Sequence, residues 1–64
     1  MARPRSAEYD DKRQAILDRS AKVFAAFGYD RASMAEVARA CGVSKSLLYH
    51  YYVNKEALLY DILH

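Results

Sequence analysis

The sequence predicts an all-α fold of three helices plus the start of a fourth, and three observations support this. Apolar residues recur every three to four positions along most of the chain, which is the period of an α-helix. Residue types that cap helix N-termini precede several of these segments. The 64 residues include only two Gly and one Pro, too few for an all-β fold rich in turns. We therefore expect helices throughout and no strand.

Length and composition limit the possible classes of protein. A chain of 64 residues with 53% hydrophobic and 28% charged residues fits one small folded domain better than a disordered tail. The net charge of +2 is a mild basic bias that does not by itself identify a partner. No apolar run approaches the roughly 18 residues that a membrane span needs, and no signal-peptide core follows the N-terminus. These features favour a cytoplasmic protein.

Cysteine and histidine usage argues against metal and disulfide chemistry. Cys41 is the only cysteine, so it cannot form an internal disulfide, and we expect it to be a small core residue. His50 and His64 are too far apart in the sequence to form a metal motif with it. No catalytic grouping of side chains is visible. We therefore expect no enzyme activity and no cofactor or metal.

The N-terminal part of the chain predicts an arm and then a long helix. Residues 1–9 are polar and basic, and we expect them to be a flexible arm in which Arg3 and Arg5 are disordered or enter a minor groove of DNA. A helix is expected from about Asp10, because Asp10 and Asp11 favour the positive end of the helix dipole. Gly28 is placed to end this helix in a left-handed conformation. Two neighbouring stripes form its apolar face: Ile16, Ser20, Val23 and Phe27, and Leu17, Ala21, Phe24 and Gly28.

Residues 33–52 have the pattern of two short helices joined by a tight turn. Ser33 and Glu36 form an S-x-x-E capping box at the start of the second helix. Ala38 is small enough for the two helices to approach closely, and Gly42 supplies the positive φ for the turn. Ser44 is an N-cap for a third helix from Lys45 to about Tyr52. The pattern indicates a helix-turn-helix motif, attached to the first helix by Val37, Cys41, Val43 and Leu48.

A fourth helix is expected after Asn54, which is a further N-cap candidate. Its apolar residues recur at helical spacing, and neither Gly nor Pro follows them before His64. We therefore expect this helix to be cut and the natural protein to continue. The apolar face consists of Leu58, Leu59, Ile62 and Leu63.

The third helix has an unusual surface for a buried element, because only Leu48 is clearly needed inside. Lys45, Ser46, Tyr49 and His50 are polar or amphipathic and would face outward. A short helix that exposes cations, hydroxyls and aromatic rings after a tight turn suits the major groove of DNA. The predicted helix N-termini also offer N–H groups that bind phosphates: those at Ser33, Ser44 and Asn54.

The stretch from Gly42 to Leu59, GVSKSLLYHYYVNKEALL, resembles the hallmark segment of the TetR family of transcriptional regulators. The segments at 27–29 and 33–38 also match that family, and the resemblance extends from about Lys12 to the end of the chain. It implies a homeodomain-like DNA-binding domain over residues 10–64, followed by a ligand-binding and dimerisation domain absent from this chain. Members are homodimers, and most are repressors that a small-molecule effector releases from a palindromic operator.

The resemblance also implies which residues contact double-stranded DNA. Lys45 and Ser46 would reach base edges, Tyr49 would contact a phosphate or a thymine methyl, and Lys55 would bind a phosphate. The family more often has Gly or Pro at position 46 and a small polar residue at position 47. Leu47 can touch a thymine methyl but cannot hydrogen-bond a base. The full set is Ser33, Ser44, Lys45, Ser46, Leu47, Tyr49, His50, Tyr51 and Lys55.

Several alternatives remain open at the level of sequence. Tyr51 could pack inward or flank the DNA, whereas Tyr52 is expected in the core. Lys45 and Lys55 could be ordinary solubilising charges, and His50 could be merely solvated. The competing function is a helical protein-interaction module that uses the apolar face of the fourth helix and does not bind DNA.

Overall fold

The computed structural model describes the backbone of residues 4–64 and the side chains from Glu8 onward. Four helices make up this part of the chain: α1 (Pro4–Phe27), α2 (Met34–Cys41), α3 (Lys45–Tyr51) and α4 (Lys55–Leu63). No residue between 4 and 64 lies in a strand. The all-α prediction is confirmed, and the starts of α2, α3 and α4 follow their predicted caps.

Helix α1 starts earlier than the sequence suggested. It begins at Pro4 and runs for 24 residues, so the predicted arm over residues 1–9 is wrong from Pro4 onward. Proline is well accepted in the first turn of a helix, because its missing N–H would have no partner there. Asp10 and Asp11 therefore lie within α1 and not in its first turn. Arg3 and the side chain of Arg5 fall outside the described part, and so does the minor-groove role considered for them.

The C-terminal end of α1 corrects one expected core residue. Gly28 has the predicted positive φ of 88°, and its N–H donates to the carbonyl oxygen of Phe24 at 2.8 Å. Phe27, expected on the apolar face, is 52% exposed. The chain turns at Gly28, and the ring of Tyr29 packs edge-on against Phe24 at 5.1 Å between centroids. Tyr29 therefore covers the end of the core in place of Phe27.

The core lies between α1 and the three shorter helices. Val37 of α2, Leu48 of α3 and Leu58 of α4 are each fully buried, and burial of such side chains is the main force that holds the helices together. Ser20 is also fully buried, but its hydroxyl donates to the carbonyl oxygen of Ile16 at 2.6 Å. Tyr52 is buried as predicted. Helix α1 thus packs against α2 and α4, while α2 packs against α3.

The described residues meet neither the requirements of a membrane-spanning helix nor those of a metal site. Among residues 4–64, no helix combines the length and the apolar character required to traverse a bilayer. In the same part of the chain, no three His, Cys, Asp or Glu side chains come together as a metal site.

Candidate DNA-binding surface

The tight turn between α2 and α3 is built by local hydrogen bonds. Ser33 accepts the Glu36 N–H at 3.2 Å, and the Glu36 carboxylate accepts the Ser33 N–H at 3.1 Å, which completes the predicted capping box. Gly42 ends α2 with a φ of 72°, and the following Val43 N–H donates to the carbonyl oxygen of Ala38 at 3.1 Å. The turn therefore fixes the direction in which α3 leaves α2.

Helix α3 exposes the side chains that the sequence predicts at DNA. The Ser44 hydroxyl accepts the Leu47 N–H at 3.0 Å and so caps the helix. Leu48 is fully buried, which turns the opposite face of the helix outward. The exposure expected for this face is confirmed. The exposed residues are Lys45, Ser46, Leu47, Tyr49 and His50.

Tyr51 lies between the two positions that the sequence left open. It is half-buried and packs against the edge of the core. Its ring stacks on Tyr9 of α1, with 4.9 Å between centroids and 25° between planes. The His50 ring meets it edge-on at 5.9 Å. The Tyr51 ring therefore lies between Tyr9 of α1 and the exposed His50 and contacts both.

The two serine caps differ in their electrostatic surroundings. At α2 the Glu36 carboxylate occupies the backbone N–H of Ser33 and adds negative charge there. At α3 the first turn contains no acidic residue, and Lys45 follows Ser44 directly. A phosphate is repelled by a nearby carboxylate and attracted by a cation. The start of α3 is therefore the better of the two positions for a phosphate.

Among the predicted DNA contacts, Lys55 has an ammonium group that already binds backbone carbonyl oxygens of the domain itself. Its Nζ atom donates to the carbonyl oxygen of Tyr29 at 2.7 Å and to that of Asp30 at 3.4 Å. The same atom lies 4.4 Å from the centre of the Tyr29 ring, within the range of a cation–π contact. These contacts join the start of α4 to the turn between α1 and α2. They give the Lys55 ammonium a structural role that does not require a phosphate.

The comparison with known families decides the class of this fold. Residues 16–62 match the family model described as "Bacterial regulatory proteins, tetR family", which covers more than half of the chain. This chain belongs to the TetR family. The resemblance seen in the sequence is confirmed, and the chain is a helix-turn-helix DNA-binding domain of a transcriptional regulator. Family membership also argues against the competing interaction module and against an enzyme.

Individual relatives agree with this assignment to the TetR family. The HTH-type transcriptional regulator YuxN of Bacillus subtilis (strain 168) is 40% identical over 53 residues, which cover 83% of this chain and 18% of that protein. The HTH-type transcriptional repressor Rv1474c of Mycobacterium tuberculosis is 35% identical, covering 80% of this chain and 27% of that protein. The A-factor receptor protein of Streptomyces griseus is 38% identical, covering 78% of this chain and 18% of that protein.

The chain aligns with only part of the length of each TetR-family relative. It spans less than a third of the length of the curated proteins named above. No solved structure matches the chain significantly.

Two residues of this TetR-family domain were missed by sequence reasoning. Arg19 of α1 donates from Nη1 to the carbonyl oxygen of Ala40 at 3.0 Å and so satisfies the last turn of α2. Tyr9 supports α3 through its stack on Tyr51. Neither has a local signal, because each partner lies far away along the chain. Only the tertiary structure brings them to the helix-turn-helix motif.

Cys41 has the structural role expected of it. Its thiol lies 3.9 Å from the carbonyl oxygen of Ile16 and packs against the core. Burial raises the pKa of this thiol above its ordinary value, with a smaller opposing effect from Arg19. Burial therefore disfavours the thiolate, which is the reactive form of a cysteine.

Proposed function

We propose that this chain reads a specific sequence in duplex DNA with the exposed face of α3. The observation that carries the proposal is the complete burial of Leu48, which leaves Lys45, Ser46 and Tyr49 in solvent beside a turn of fixed geometry. A major groove is about 12 Å wide and admits one helix with its side chains. A helix with exposed polar side chains on its outer face, such as α3, meets that requirement.

The proposed roles follow the position of each side chain on α3. Lys45 and Ser46, in the first turn, contact base edges, and Leu47 lies against a thymine methyl. One turn later, Tyr49 contacts a phosphate or a thymine methyl, and His50 flanks it on the side of the DNA backbone. The remaining proposed contacts are the Ser33 and Ser44 hydroxyls, the Tyr51 hydroxyl and the one N–H of the Lys55 ammonium that is not used internally.

The decisive test uses duplexes that the wild-type chain selects from a random-sequence pool. Tyr49→Ala is expected to weaken binding to the selected duplex by roughly tenfold, in line with about 1–3 kcal/mol for a good base or backbone contact. Tyr60→Ala is the matched control, because Tyr60 is an exposed tyrosine of α4. Equal binding by both variants in a gel-shift titration would contradict the assigned face.

We propose further that the complete protein is a homodimeric, ligand-responsive repressor acting in the bacterial cytoplasm. The names of two relatives support this, since one is a repressor and another is a receptor. A dimer would place two copies of this domain about 34–36 Å apart on a palindromic operator. Light scattering of the complete protein with its selected duplex measures the stoichiometry. A single copy per operator would contradict the dimer, and activation of a reporter gene would contradict repression.

A further inference from the structure

The N-terminal half of α1 lies beside the recognition helix α3. The rings of Tyr9 and Tyr51 stack at 4.9 Å between centroids, which joins the two helices near their exposed sides. One turn further along α1, Lys12 lines a groove of about 270 Å³ together with Leu47 and Tyr51 of α3. Tyr9 and Lys12 thus border the face of α3 that is proposed to read DNA.

Both side chains of α1 are available to a partner. Tyr9 is 45% exposed although one side of its ring is covered by Tyr51. Lys12 is exposed and forms no ion pair with any side chain that the structure describes. Arg19, the other cation that lines the groove, is committed to the carbonyl oxygen of Ala40. Lys12 is therefore the cation of the groove that can bind an external anion.

The geometry of DNA supplies the anion. A helix in the major groove has a sugar–phosphate backbone on each side of it, because the groove is bounded by the two strands. A cation held beside that helix comes close to one row of phosphates. The Tyr9–Tyr51 stack joins α1 to α3, which places Lys12 beside the recognition face of α3 without any DNA present. Glu8, one turn before Lys12, is exposed and opposes this attraction without pairing with the lysine.

We propose that Tyr9 and Lys12 form a second DNA-contact strip, in which Lys12 binds a backbone phosphate and Tyr9 positions α1 against α3. This inference rests on the proposed function and extends it from α3 onto α1. The strip carries no sequence information. It contributes affinity that is independent of sequence and depends on salt.

The test measures binding of the full chain to a labelled duplex pool of random sequence between about 50 and 200 mM salt. Lys12→Gln is expected to weaken binding roughly fivefold to tenfold and to reduce the slope of log K against log salt by about 0.9, the value for one phosphate. Lys22→Gln is the matched control, because Lys22 is an exposed lysine of α1 that does not line the groove. Glu8→Gln is expected to strengthen binding.

Equal slopes for Lys12→Gln and Lys22→Gln would overturn the proposal, whereas wild-type binding without any salt dependence would overturn the proposed function itself. Tyr9 is tested separately as a positioning residue. Tyr9→Phe keeps the stacking ring and is expected to bind like the wild type, while Tyr9→Ala loses about as much affinity as Lys12→Gln. If Tyr9→Ala binds like the wild type, the stack does not position the strip. Circular dichroism at the assay temperature verifies that each variant is folded.

Discussion

The Tyr52 hydroxyl donates to Oδ2 of Asp61 at 2.8 Å, and Nη1 of Arg13 lies 3.6 Å from the same oxygen. This carboxylate joins three elements, because Tyr52 is the C-cap of α3, Asp61 belongs to α4 and Arg13 belongs to α1. The Tyr52 ring lies in the core, so only its hydroxyl reaches the half-exposed carboxylate. The C-terminal end of α3 is thus tied to α1 and α4 by one carboxylate.

Removal of that hydroxyl provides the first prediction. Tyr52→Phe keeps the buried ring and is expected to lower the free energy of unfolding by about 0.5–1.5 kcal/mol, the usual net value of one hydrogen bond. Thermal unfolding followed by circular dichroism measures the change. Tyr60→Phe, which removes the hydroxyl of an exposed tyrosine, is the control and should have no effect. An unchanged melting temperature for Tyr52→Phe would mean that the bond to Asp61 contributes nothing.

The second prediction concerns alkaline pH. Burial raises the pKa of Tyr52 above its ordinary 10.0, and the hydrogen bond to Asp61 raises it further; burial likewise raises the pKa of Cys41 above 9.0 and that of Tyr29 above 10.0. As pH rises, the thiol and the two phenols therefore lose their protons in the unfolded chain before they lose them in the folded one. The stability that these protonated groups contribute is complete below their ordinary pKa values and is lost as pH rises through their raised pKa values in the folded state.

The melting temperature should therefore fall between about pH 8 and about pH 10.5, the interval in which the unfolded thiol and phenols ionise. Tyr52→Phe removes one of the three groups, so its melting temperature should fall less over the same interval. The comparison requires constant ionic strength. An equal or larger fall for the variant would show that Tyr52 is not among the groups responsible.

Lys55 gives a prediction that separates folding from DNA binding. Lys55→Met keeps the aliphatic stem but leaves the carbonyl oxygen of Tyr29 without its donor. We expect a loss of about 1 kcal/mol in stability together with weaker DNA binding. Lys45→Met is the matched variant, since Lys45 is exposed on α3 and should lose affinity without loss of melting temperature. If both variants melt like the wild type, the internal bonds of Lys55 have no energetic weight.

The turn between α2 and α3 predicts a cost for any side chain at Gly42. A methyl group there meets no atom within 4 Å, so Gly42→Ala does not create a clash. The φ of 72° nevertheless lies in the left-handed region, where an L-residue costs about 1–2 kcal/mol. Chemical denaturation should give a loss of this size. Gly42→Asn, which tolerates this conformation better, should retain more stability than Gly42→Ala, and the reverse order would contradict the explanation.

Tyr29 carries a hydroxyl that is shielded from solvent and has no hydrogen-bond partner among the residues that the structure describes. An unsatisfied buried hydroxyl is unfavourable, so Tyr29→Phe is expected to raise the melting temperature. The ring remains, and with it the contacts to Phe24 and to the Lys55 ammonium. A lower melting temperature would show that the hydroxyl has a partner in solution, such as a bound water.

Local signals predicted most of the fold and the exposed face of α3. Ser33, Ser44 and Asn54 each accept an N–H from the residue three positions later, so each cap could be recognised within one turn of sequence. The start of α1 was not recognised, because basic residues around Pro4 are equally compatible with a disordered arm. Phe27 was misplaced because helical periodicity does not indicate where the neighbouring helices end.

The starts of α2, α3 and α4 and the turns at Gly28 and Gly42 were determined by the amino-acid sequence, since a cap or a positive φ depends on residues within about one turn. Tertiary structure decided which of the exposed-looking side chains remain free. Lys45 stays in solvent, whereas Lys55 is held by the carbonyl oxygen of Tyr29, 26 positions away. Such a contact depends on how two separate helices pack, and no periodicity along one helix contains that information.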